Sequence, residues 1–551
     1  MVARLAIAVL TMGTITAQIV LAQELRGTVR DSASQQPIPG AVVLLLDSAG
    51  TTLARNLTNE LGRFRVASFV GGQRLRVLRI GFRPRDVLIP PSESVLDVSM
   101  VAIPVLLEPV RVTAAARCPT RRDAAQAFSL LEQARAGLLA IVVAREANPA
   151  ALVRLGFQRR MDGTSEHIVR QIVRAESVAQ SAISFDAVRA PIDFVRRGFV
   201  ADSGGFSRFL APDADALLDE AFAQGYCFRI ADPARNRPHQ LGLGFSAANR
   251  VRGRVDIAGT LWVDTAARAL VDLEYRYAGL DRLLETSDPG GRLSFRTMPN
   301  GLVLIDRWVI RMVGVEPDTT RDAALEVYRV RDRPFISEAG GELAHATWPD
   351  GHAWHASLGR LQLHAVTDSG TPATGTVVRL LDTHYRVVTD SAGNLEIADL
   401  VPGPYSLMVL DPRLSDLNLE LATDVRFVAA RDSTVSRDFR VPTAIDTTMT
   451  RCLADARIGP TLVLGRVLTA DGKPVDGVRI TLKETLPPSA PRAEAVLDRY
   501  TTGTDGLFQF CASPNQREPI LRIEASRDEW STVRVFRPTE RLTIVRIPYS
   551  P

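Results

Sequence analysis

A nine-residue pattern that occurs three times constrains the fold of this chain more than any other feature. Its copies are residues 58–66, 389–397 and 502–510. Each copy has a polar stretch closed by Gly, followed by residues that alternate between apolar and polar. Glycine tolerates the positive φ of a tight hairpin turn, and alternation with a period of two indicates a strand with one buried face. The sequence therefore predicts three similar β-hairpins, each in its own β-rich module.

Length and composition indicate a multidomain globular protein. The chain has 551 residues, and a domain has roughly 150 residues, so more than one hydrophobic core is expected. Hydrophobic residues make up 46% of the chain and charged residues 23%, which excludes a disordered or fibrous protein. The formal net charge is +4, and the charges are spread along the chain. The sequence therefore has no cluster of basic residues that would indicate nucleic-acid binding.

The N-terminus has the pattern of a secretory signal peptide. Arg4 precedes an apolar run from Leu5 to Leu21, and the small residue Ala22 follows. A basic residue, an apolar region and a small residue at the cleavage point are the three parts of such a signal. A retained membrane anchor is the alternative, although the run is short and interrupted by polar residues. We predict that residues 1–22 are a signal peptide and that the mature chain does not span a membrane.

Four cysteines, Cys118, Cys227, Cys452 and Cys511, are an even number in a chain that is predicted to be exported. Exported proteins reach oxidising compartments, in which disulfides form. Of the possible pairings, we favour Cys118 with Cys227 and Cys452 with Cys511, because each bond then falls inside one predicted domain. A zinc site is disfavoured because no two of the cysteines have Cys-x2-Cys spacing.

The first module carries four short motifs, at residues 27–31, 37–41, 58–66 and 80–82. Together they resemble the carboxypeptidase regulatory-like domain, a small prealbumin-type β-sandwich. The resemblance implies a fold and no chemistry, because the glycines and prolines of these motifs make turns. It does not imply peptidase activity either: none of the seven histidines has the Glu three residues later that a zinc carboxypeptidase needs.

Parts of the same pattern return in the C-terminal half of the chain. Residues 401–407 contain a Pro-Gly-x-Tyr step, which is a turn into an edge strand in this kind of domain. Residues 464–467 and 472–478 repeat the opening strand and its turn. The sequence therefore predicts a second and a third sandwich.

The segment at residues 106–114 resembles the one that follows such a domain in TonB-dependent outer-membrane receptors. In those proteins the segment leads into a plug and a large barrel. The rest of this chain shows neither a plug-like segment nor a series of amphipathic strands of about ten residues. We therefore predict a linker here, with an accessory of a TonB-dependent transport system as an alternative role.

Residues 116–355 differ from the modules because helical periodicity appears in them. Apolar residues recur at spacings of three and four, which predicts a helix that Asp123 caps and that ends before Pro149. A second helix is predicted at residues 213–224. The strands that follow predict an antiparallel meander with a hairpin loop at residues 264–268. This meander resembles the curved sheets of periplasmic lipoprotein-carrier-like proteins, and that resemblance implies a cradle for an apolar ligand.

His345, His352 and His355 fall in one short segment together with Asp350, and they are the best candidates for a metal site. Imidazole and carboxylate ligands could bind Zn2+ or Cu2+. We favour an exposed interdomain loop with incidental histidines, because ligands on loops without a fixed scaffold rarely converge. No metal and no cofactor is therefore predicted.

Aromatic and acidic residues of the central domain offer two further candidate sites. Trp262, Trp308 and Tyr275 could form a platform that stacks on sugar rings, although packing in the core explains them equally well. Paired carboxylates on neighbouring strands could perform glycosidic acid–base chemistry. In antiparallel strands such residues are more commonly the solvated face. The acidic candidates are Asp256, Asp264, Asp272 and Glu274.

The sequence as a whole predicts a mainly β, multidomain protein with three prealbumin-like or Ig-like β-sandwiches and a central antiparallel-sheet α+β domain. The predicted boundaries are 1–22 for the signal peptide, 23–115 for the first sandwich, 116–355 for the central domain, and 356–445 and 446–551 for the other sandwiches. The predicted function is an exported, non-catalytic binding or structural protein of the periplasm or outer envelope, with an envelope protein or a glycan as partner. Carbohydrate binding, a transport accessory and a hydrolase are the alternatives.

Overall fold

The computed structural model describes residues 24–67, 71–90, 94–103, 121–162, 167–179, 191–203, 206–280, 288–298, 300–322, 327–367, 370–410, 421–441, 461–512, 519–538 and 542–550. Of these residues 58% lie in strands and 10% in helices. The chain divides into two compact units. Unit 1 is made of Met1–Leu152, Ser177–Pro334 and His345–Trp354, and unit 2 is made of Val153–Glu176, Phe335–Ala344 and His355–Pro551.

The elements are given in chain order. The first module contains β1 (Glu24–Asp31), β2 (Val42–Leu46), β3 (Thr52–Leu57), β4 (Arg63–Ala67), β5 (Arg74–Leu78), β6 (Arg85–Leu88) and β7 (Val95–Met100). The central region contains α1 (Arg121–Ala147), β8 (Ala151–Met161), β9 (Ile168–Ala179), α2 (Pro191–Arg197), β10 (Val200–Ser203), β11 (Phe206–Phe209), α3 (Ala214–Leu218), α4 (Glu220–Gly225), β12 (Tyr226–Ile230), β13 (Gln240–Ala247), β14 (Asp256–Asp264), β15 (Ala269–Ala278), β16 (Gly290–Thr297), β17 (Val303–Asp322), β18 (Val327–Thr347) and β19 (Ala353–His355). The second module contains β20 (Gly359–Val366), β21 (Val377–Leu380), β22 (Arg386–Val388), β23 (Asn394–Leu400), β24 (Gly403–Leu410), β25 (Leu421–Ala429) and β26 (Thr434–Arg440). The third module contains β27 (Thr461–Thr469), β28 (Arg479–Thr485), β29 (Glu494–Thr501), β30 (Leu507–Ala512), β31 (Ile520–Arg527), β32 (Trp530–Phe536) and β33 (Leu542–Tyr549).

The three modules share one topology. In the first, a three-stranded sheet in the order β4-β1-β7 faces a four-stranded sheet in the order β3-β2-β5-β6. The second repeats it as β23-β20-β26 and β22-β21-β24-β25, and the third as β30-β27-β33 and β29-β28-β31-β32. In each module the first strand runs antiparallel to the fourth and parallel to the seventh. The predicted three-sandwich architecture is confirmed.

The recurring turn has the same glycine geometry in every module. Gly62, Gly393 and Gly506 have φ values of 68°, 76° and 67°, a backbone region that L side chains rarely adopt. A Cβ on Gly62 would lie 2.5 Å from the carbonyl oxygen of Val29 on the first strand, and a Cβ on Gly393 or Gly506 would lie 2.3 or 2.6 Å from the matching carbonyl oxygen. The turn therefore needs glycine for its φ and for its close approach to the first strand.

A buried threonine opens the same turn in each module. The hydroxyl of Thr58 donates to the carbonyl of Ile38 at 2.6 Å and accepts from the N–H of Ala41 at 2.8 Å. Thr389 and Thr502 make the same two bonds with the corresponding backbone groups. All three threonines are buried. Each therefore ties its hairpin to the chain that leads into the second strand.

Replacing any of these threonines by valine is expected to destabilise its own module. Valine keeps the shape of Thr58, Thr389 or Thr502 but leaves a buried N–H and a buried carbonyl without the hydroxyl, which costs about 1–3 kcal/mol. Serine at the same position restores both bonds and is the matched control. Chemical unfolding combined with hydrogen exchange of each module measures the loss. Equal stability of the valine and serine variants would contradict the assigned role.

The core of unit 1 outside the first module lies between α1 and a sheet in which β12, β13, β14, β15, β16 and β17 pair antiparallel in that order. The hairpin loop predicted at residues 264–268 is confirmed, because β14 ends at Asp264 and β15 begins at Ala269. In the described part of the chain one helix, α1, is long and apolar enough to cross a membrane, at Gln126–Ala147. Because 67% of its most apolar window is buried inside the protein, α1 behaves as a core helix.

The single helix predicted at residues 213–224 is wrong, because two short helices occupy this stretch. Asp219 has an extended backbone, with φ −61° and ψ 136°, and separates α3 from α4. The side chain of Asp213 accepts from the N–H of Ala216, and that of Asp219 accepts from the N–H of Ala221. Aspartate is a preferred N-cap, so the second aspartate starts a new helix where apolar periodicity alone predicted continuation.

The Ile-Gly-Phe motif of the first module attaches that module to the rest of unit 1. Ile80 belongs to the core under α1, whereas Phe82 belongs to the core of the first module. The backbone N–H of Gly81 donates to the side-chain oxygen of Gln133 on α1 at 2.7 Å. The guanidinium of Arg268 stacks on the ring of Phe82 at 4.6 Å. Ile80 and Phe82, which are two positions apart, therefore join the core under α1 to the core of the first module.

In unit 2 the second module is fastened to β8 and β9. Arg170 makes a bidentate ion pair with Asp382, at 2.8 and 3.0 Å. The N–H of Val173 donates to the carbonyl of Asp382 at 3.0 Å. Arg159, which is mostly buried, donates to the side-chain oxygen of Gln171 and to the carbonyl of Pro402. These polar contacts fix the module to the two strands.

Several predictions from the sequence fall outside the described residues. They are the signal peptide at residues 1–22, the segment at 106–114, and the two cysteines Cys118 and Cys452. Neither Cys227 nor Cys511 is a free thiol. The proposed pairing of the four cysteines stays a prediction.

Candidate functional site

The polar face of the sheet in unit 1 forms the candidate site. Side chains alternate across this sheet, so Leu261, Leu273 and Leu293 point into the core and their neighbours point away from it. Two rows of register partners cross the polar face from β12 to β17. The first row is Arg229, Gly244, Thr260, Glu274, Arg292 and Val309, and the second is Cys227, Ser246, Ala258, Arg276, Gly290 and Arg311.

A groove of about 500 Å³ lies over these rows. Its floor is low because Ser246, Ala258 and Gly290 have small side chains or none. Four arginines and two carboxylates provide its charged groups, and they are Arg229, Arg276, Arg292, Arg311, Glu274 and Asp288. We call this surface the arginine groove, and it carries an excess of positive charge.

A buried carboxylate beside the arginine groove organises one of its walls. Asp272 is almost fully buried and accepts from the guanidinium of Arg292 at 2.7 and 3.1 Å. Arg237 donates to the same carboxylate at 2.9 Å, and the hydroxyl of Ser294 donates at 2.8 Å. Burial by itself would raise the pKa of Asp272, but the hydrogen bonds from these three donors outweigh it and lower that pKa. The carboxyl group of Asp272 is therefore an anion at neutral pH, and it orients Arg292.

Glu274 lies on the same face, two residues from Asp272. Arg237 donates to one oxygen of Glu274 at 2.6 Å, and the indole N–H of Trp262 donates to the other at 3.3 Å. The guanidinium of Arg237 also stacks 4.9 Å from the centre of the Trp262 ring. Arg292 also lies 3.5 Å from the oxygen that Arg237 binds. Because Glu274 remains 41% exposed, its carboxylate can accept further hydrogen bonds from a ligand in the groove.

Acidification is expected to destabilise the wall of the groove that Asp272 organises. The pKa of Asp272 is lower in the folded protein than the value of about 3.9 in an unfolded chain. Its contribution to stability is therefore complete above that unfolded pKa and is lost as the pH falls through the folded pKa. Urea unfolding of unit 1 between neutral and strongly acid pH measures the slope. Asp272→Asn should flatten the slope in this range, and an unchanged slope would contradict the assignment.

The three aromatic candidates do not form one surface. Tyr275 is buried in the core, and Trp308 packs against the same core from β17. Trp262 lies on the opposite face of the sheet, beneath Arg237, and is itself largely buried. The structure therefore does not bring these rings together as a stacking platform.

The histidine candidates do not converge in the described part of the chain, where no group of three or more His, Cys, Asp or Glu side chains could hold a metal ion. His352 is exposed, and its Nδ1 lies 3.1 Å from Asp350. The pKa of Asp350 is lowered, chiefly by the backbone N–H of His352 and further by the imidazole of that residue. His345 lies on β18 and His355 on β19.

The other acidic candidates have structural contacts. Asp264 caps the hairpin loop, because its carboxylate accepts from the N–H groups of Ala266 and Ala267. Asp256 is paired with Arg254 at 3.1 Å, and burial raises the pKa of this carboxyl above its usual value. Asp272 and Glu274 are therefore the acidic candidates that lie beside or in the arginine groove.

Sequence reasoning missed the arginines of the groove. Arg229, Arg276, Arg292 and Arg311 are spread over 83 residues of sequence and belong to four different strands. Each of them looks like an ordinary solvent-facing residue of an alternating strand. The register of the sheet places them together, and no local pattern carries that register.

Comparisons with known proteins identify one part of the chain. Residues 24–101 match the family model of the carboxypeptidase regulatory-like domain, which confirms the resemblance read from the motifs of the first module. This class of domain is therefore present in the chain. No curated protein matches the sequence.

The solved structures that resemble this chain do so with low TM-scores. The Bacillus anthracis TIE protein is 10% identical, with a TM-score of 0.15, and the match covers 62% of each chain. The streptococcal ancillary pilin is 13% identical, with a TM-score of 0.15, over 48% of this chain and 83% of its own. BcpA, the major pilin subunit of Bacillus cereus, is 8% identical, with a TM-score of 0.13, over 76% of this chain and 98% of its own. These scores support no transfer of function.

Proposed function

We propose that this protein is a non-catalytic binding protein in which the arginine groove of unit 1 holds the ligand and the three modules serve as rigid scaffold. The observation that carries the proposal is the groove itself, a concave polar surface of about 500 Å³ on rigid strands. Binding sites are characteristically concave, with a few placed polar groups. The modules contribute turns and packing, since their recurring residues tie hairpins to strands.

The chemistry of the groove supports binding over catalysis. Asp272 is held as an anion by three donors, whereas a general acid needs a raised pKa. Glu274 already accepts from Arg237 and Trp262. Such paired groups are suited to hold a ligand in a fixed orientation.

Export to the periplasm or outer envelope is part of the proposal. The pattern of residues 1–22 and the even number of cysteines support it. Peptide mapping of the secreted or periplasmic protein without reduction is expected to recover Cys118 joined to Cys227 and Cys452 joined to Cys511. Recovery of the four residues as free thiols would contradict the proposed compartment.

Blocking the groove tests the binding function. Thr260 lies in the middle of the first row, and a tryptophan at this position would fill the space above Ala258 and Ser246. Thr434→Trp, on an exposed strand of the second module, is the matched control. The full-length wild type and both variants are passed over a panel of immobilised neutral, anionic and cationic glycans, peptides and oligonucleotides.

The expected result is retention of at least one ligand class by the wild type and by Thr434→Trp, with loss of retention for Thr260→Trp. Circular dichroism and thermal unfolding of Thr260→Trp show whether the sheet is intact. Retention that is equally strong in a folded Thr260→Trp variant, or no retention of any class by the wild type, would overturn the proposed function.

A further inference from the structure

We infer that the ligand of the arginine groove is an oligosaccharide that carries carboxylate groups, an inference that rests on the proposed function. Three properties of the groove favour this ligand class: the geometry of its cations, the acceptors and hydroxyls between them, and its position mainly over the middle strands of the sheet.

The cations of the groove are arginines, and three of them, Arg229, Arg276 and Arg292, are exposed. Arg292 is held by Asp272, whereas the other two are open to a ligand. Arg229 is exposed at the β12 end of the first row. Arg276 is 74% exposed and meets Asp288 only at 3.5 Å, which is a weak surface pair. Guanidinium groups present a planar fork of donors that matches a carboxylate in a bidentate manner. The groove therefore favours a ligand with carboxylates spaced along it.

The groups that lie between the arginines can form hydrogen bonds with hydroxyl groups of a ligand. Glu274 has acceptor positions left on its exposed carboxylate, and the hydroxyls of Thr260 and Ser246 lie on the floor or wall of the groove. A ligand that carried anionic groups alone would offer no donor to the carboxylate of Glu274. A sugar acid offers both partners, because its hydroxyls donate to Glu274 while its carboxylate accepts from arginine.

The position of the groove disfavours an acidic peptide. The groove lies mainly over β14, β15 and β16, each of which is paired on both sides, and its β12 end alone lies at an edge of the described sheet. An extended peptide binds a sheet by adding a strand to an open edge, where backbone N–H and carbonyl groups are free. Above the middle of a sheet its own backbone groups would find no such partners. Sugar hydroxyls need side-chain partners only.

The rings of the groove disfavour single-stranded nucleic acid. Phe245 and Tyr275 are the aromatic residues that line it, and both are almost fully buried. Bases bind single-strand sites by stacking on exposed aromatic faces. With its rings turned into the core, the groove offers charge and hydrogen bonds and no stacking surface.

A pair of ligands that differ only in charge tests the inference. Full-length protein is titrated with oligogalacturonate and with the same oligosaccharide after methyl esterification, which keeps the sugar rings and removes the negative charges. Oligogalacturonate is expected to bind, with an affinity that falls as salt rises, and the methyl ester at least tenfold more weakly. Arg229→Gln and Arg276→Gln are each expected to weaken binding by about tenfold, since one charge-assisted hydrogen bond is lost. Arg252→Gln, an exposed arginine outside the groove, should bind as the wild type does.

The outcomes separate this inference from the function on which it rests. Equal binding of the methyl ester, unchanged affinity of both arginine variants, or groove-dependent binding of polyglutamate or an oligonucleotide in place of the glycan would overturn the ligand class while leaving a binding protein. Absence of any ligand whose retention depends on an open groove would overturn the proposed function as well.

Discussion

Replacing Gly465 by leucine is expected to unfold the third module while the rest of the protein stays folded. A Cβ on Gly465 would lie 2.0 Å from the ring of Phe508 on β30 and 2.5 Å from the carbonyl oxygen of Val545 on β33. Phe508 is buried and lies directly opposite Gly465 in the sheet. Overpacking by single methylenes costs about 1–3 kcal/mol, so a whole leucine side chain against backbone and ring should cost more.

The other modules explain why glycine stands at this position. Gly27 faces Phe64 at the same place of the first module, whereas Leu363 faces Leu395 in the second. A glycine makes room for a phenylalanine, and two leucines fill the same space between them. The space between the first and fourth strands of a module can therefore be filled from one strand or from both, as long as the core stays close-packed.

The double variant Gly465→Leu/Phe508→Leu is expected to recover part of the stability that the single variant loses. Recovery is only partial because the approach to the carbonyl of Val545 remains. Hydrogen exchange of the amides of β27, β30 and β33 in the full-length protein measures both variants. Gly503→Asn is the control, since its turn position is occupied by Asn59 in the first module and little lies near its Cβ. A single variant as stable as the wild type would contradict the packing argument.

Removal of the Asp272 carboxylate is expected to have the second large effect. In Asp272→Ala, Arg237 loses one of its two carboxylate partners while it stays mostly buried. Ser294 loses its acceptor at the same time, and Arg292 keeps only its longer contact with Glu274, at 3.5 Å. Breaking a buried ion pair by removing one partner costs about 3–5 kcal/mol when the remaining charge is left uncompensated. Because Glu274 still pairs with Arg237 at 2.6 Å, the expected loss lies at the lower end of this range. Chemical unfolding of unit 1, followed by hydrogen exchange of β15 and β16, measures the loss.

The matched control is Asp288→Asn at the other end of the groove. Asp288 pairs with Arg276 at 3.5 Å, and both side chains are more than 70% exposed. Exposed pairs contribute about 0–1 kcal/mol, so this variant should be nearly as stable as the wild type. If the two aspartate variants lost equal stability, burial would not be the reason for the strength of the Asp272 network.

Local patterns predicted much of the architecture. The turns that end in Gly62, Gly393 and Gly506 placed three hairpins correctly, because a positive φ and a buried threonine are needed wherever this turn occurs. The helix predicted from apolar residues at spacings of three and four is present as α1. Its predicted cap is wrong, because α1 includes Arg121 and Asp123 therefore lies inside the helix. Periodicity failed at Asp219, where a side-chain cap restarts the helix.

The sequence did not show into which core, or on which face of the sheet, particular apolar and aromatic side chains pack. Ile80 was part of a motif that identified a fold, yet its side chain fills a core outside that module. Tyr275 and Trp308 were read as possible surface rings and pack in or against the core, whereas Trp262 lies under an arginine. A strand shows which residues share a face, but not which face meets the core.

By itself the sequence determined the number of sandwiches, the turns that close their hairpins and the long helix, since each depends on residues within a few positions of one another. Only the tertiary structure decided where the arginines of four strands meet, which donors hold the buried carboxylate of Asp272 and how the first module is attached to the rest of unit 1. Those contacts join residues far apart in the chain, and their geometry follows from strand register and core packing, which no single segment encodes.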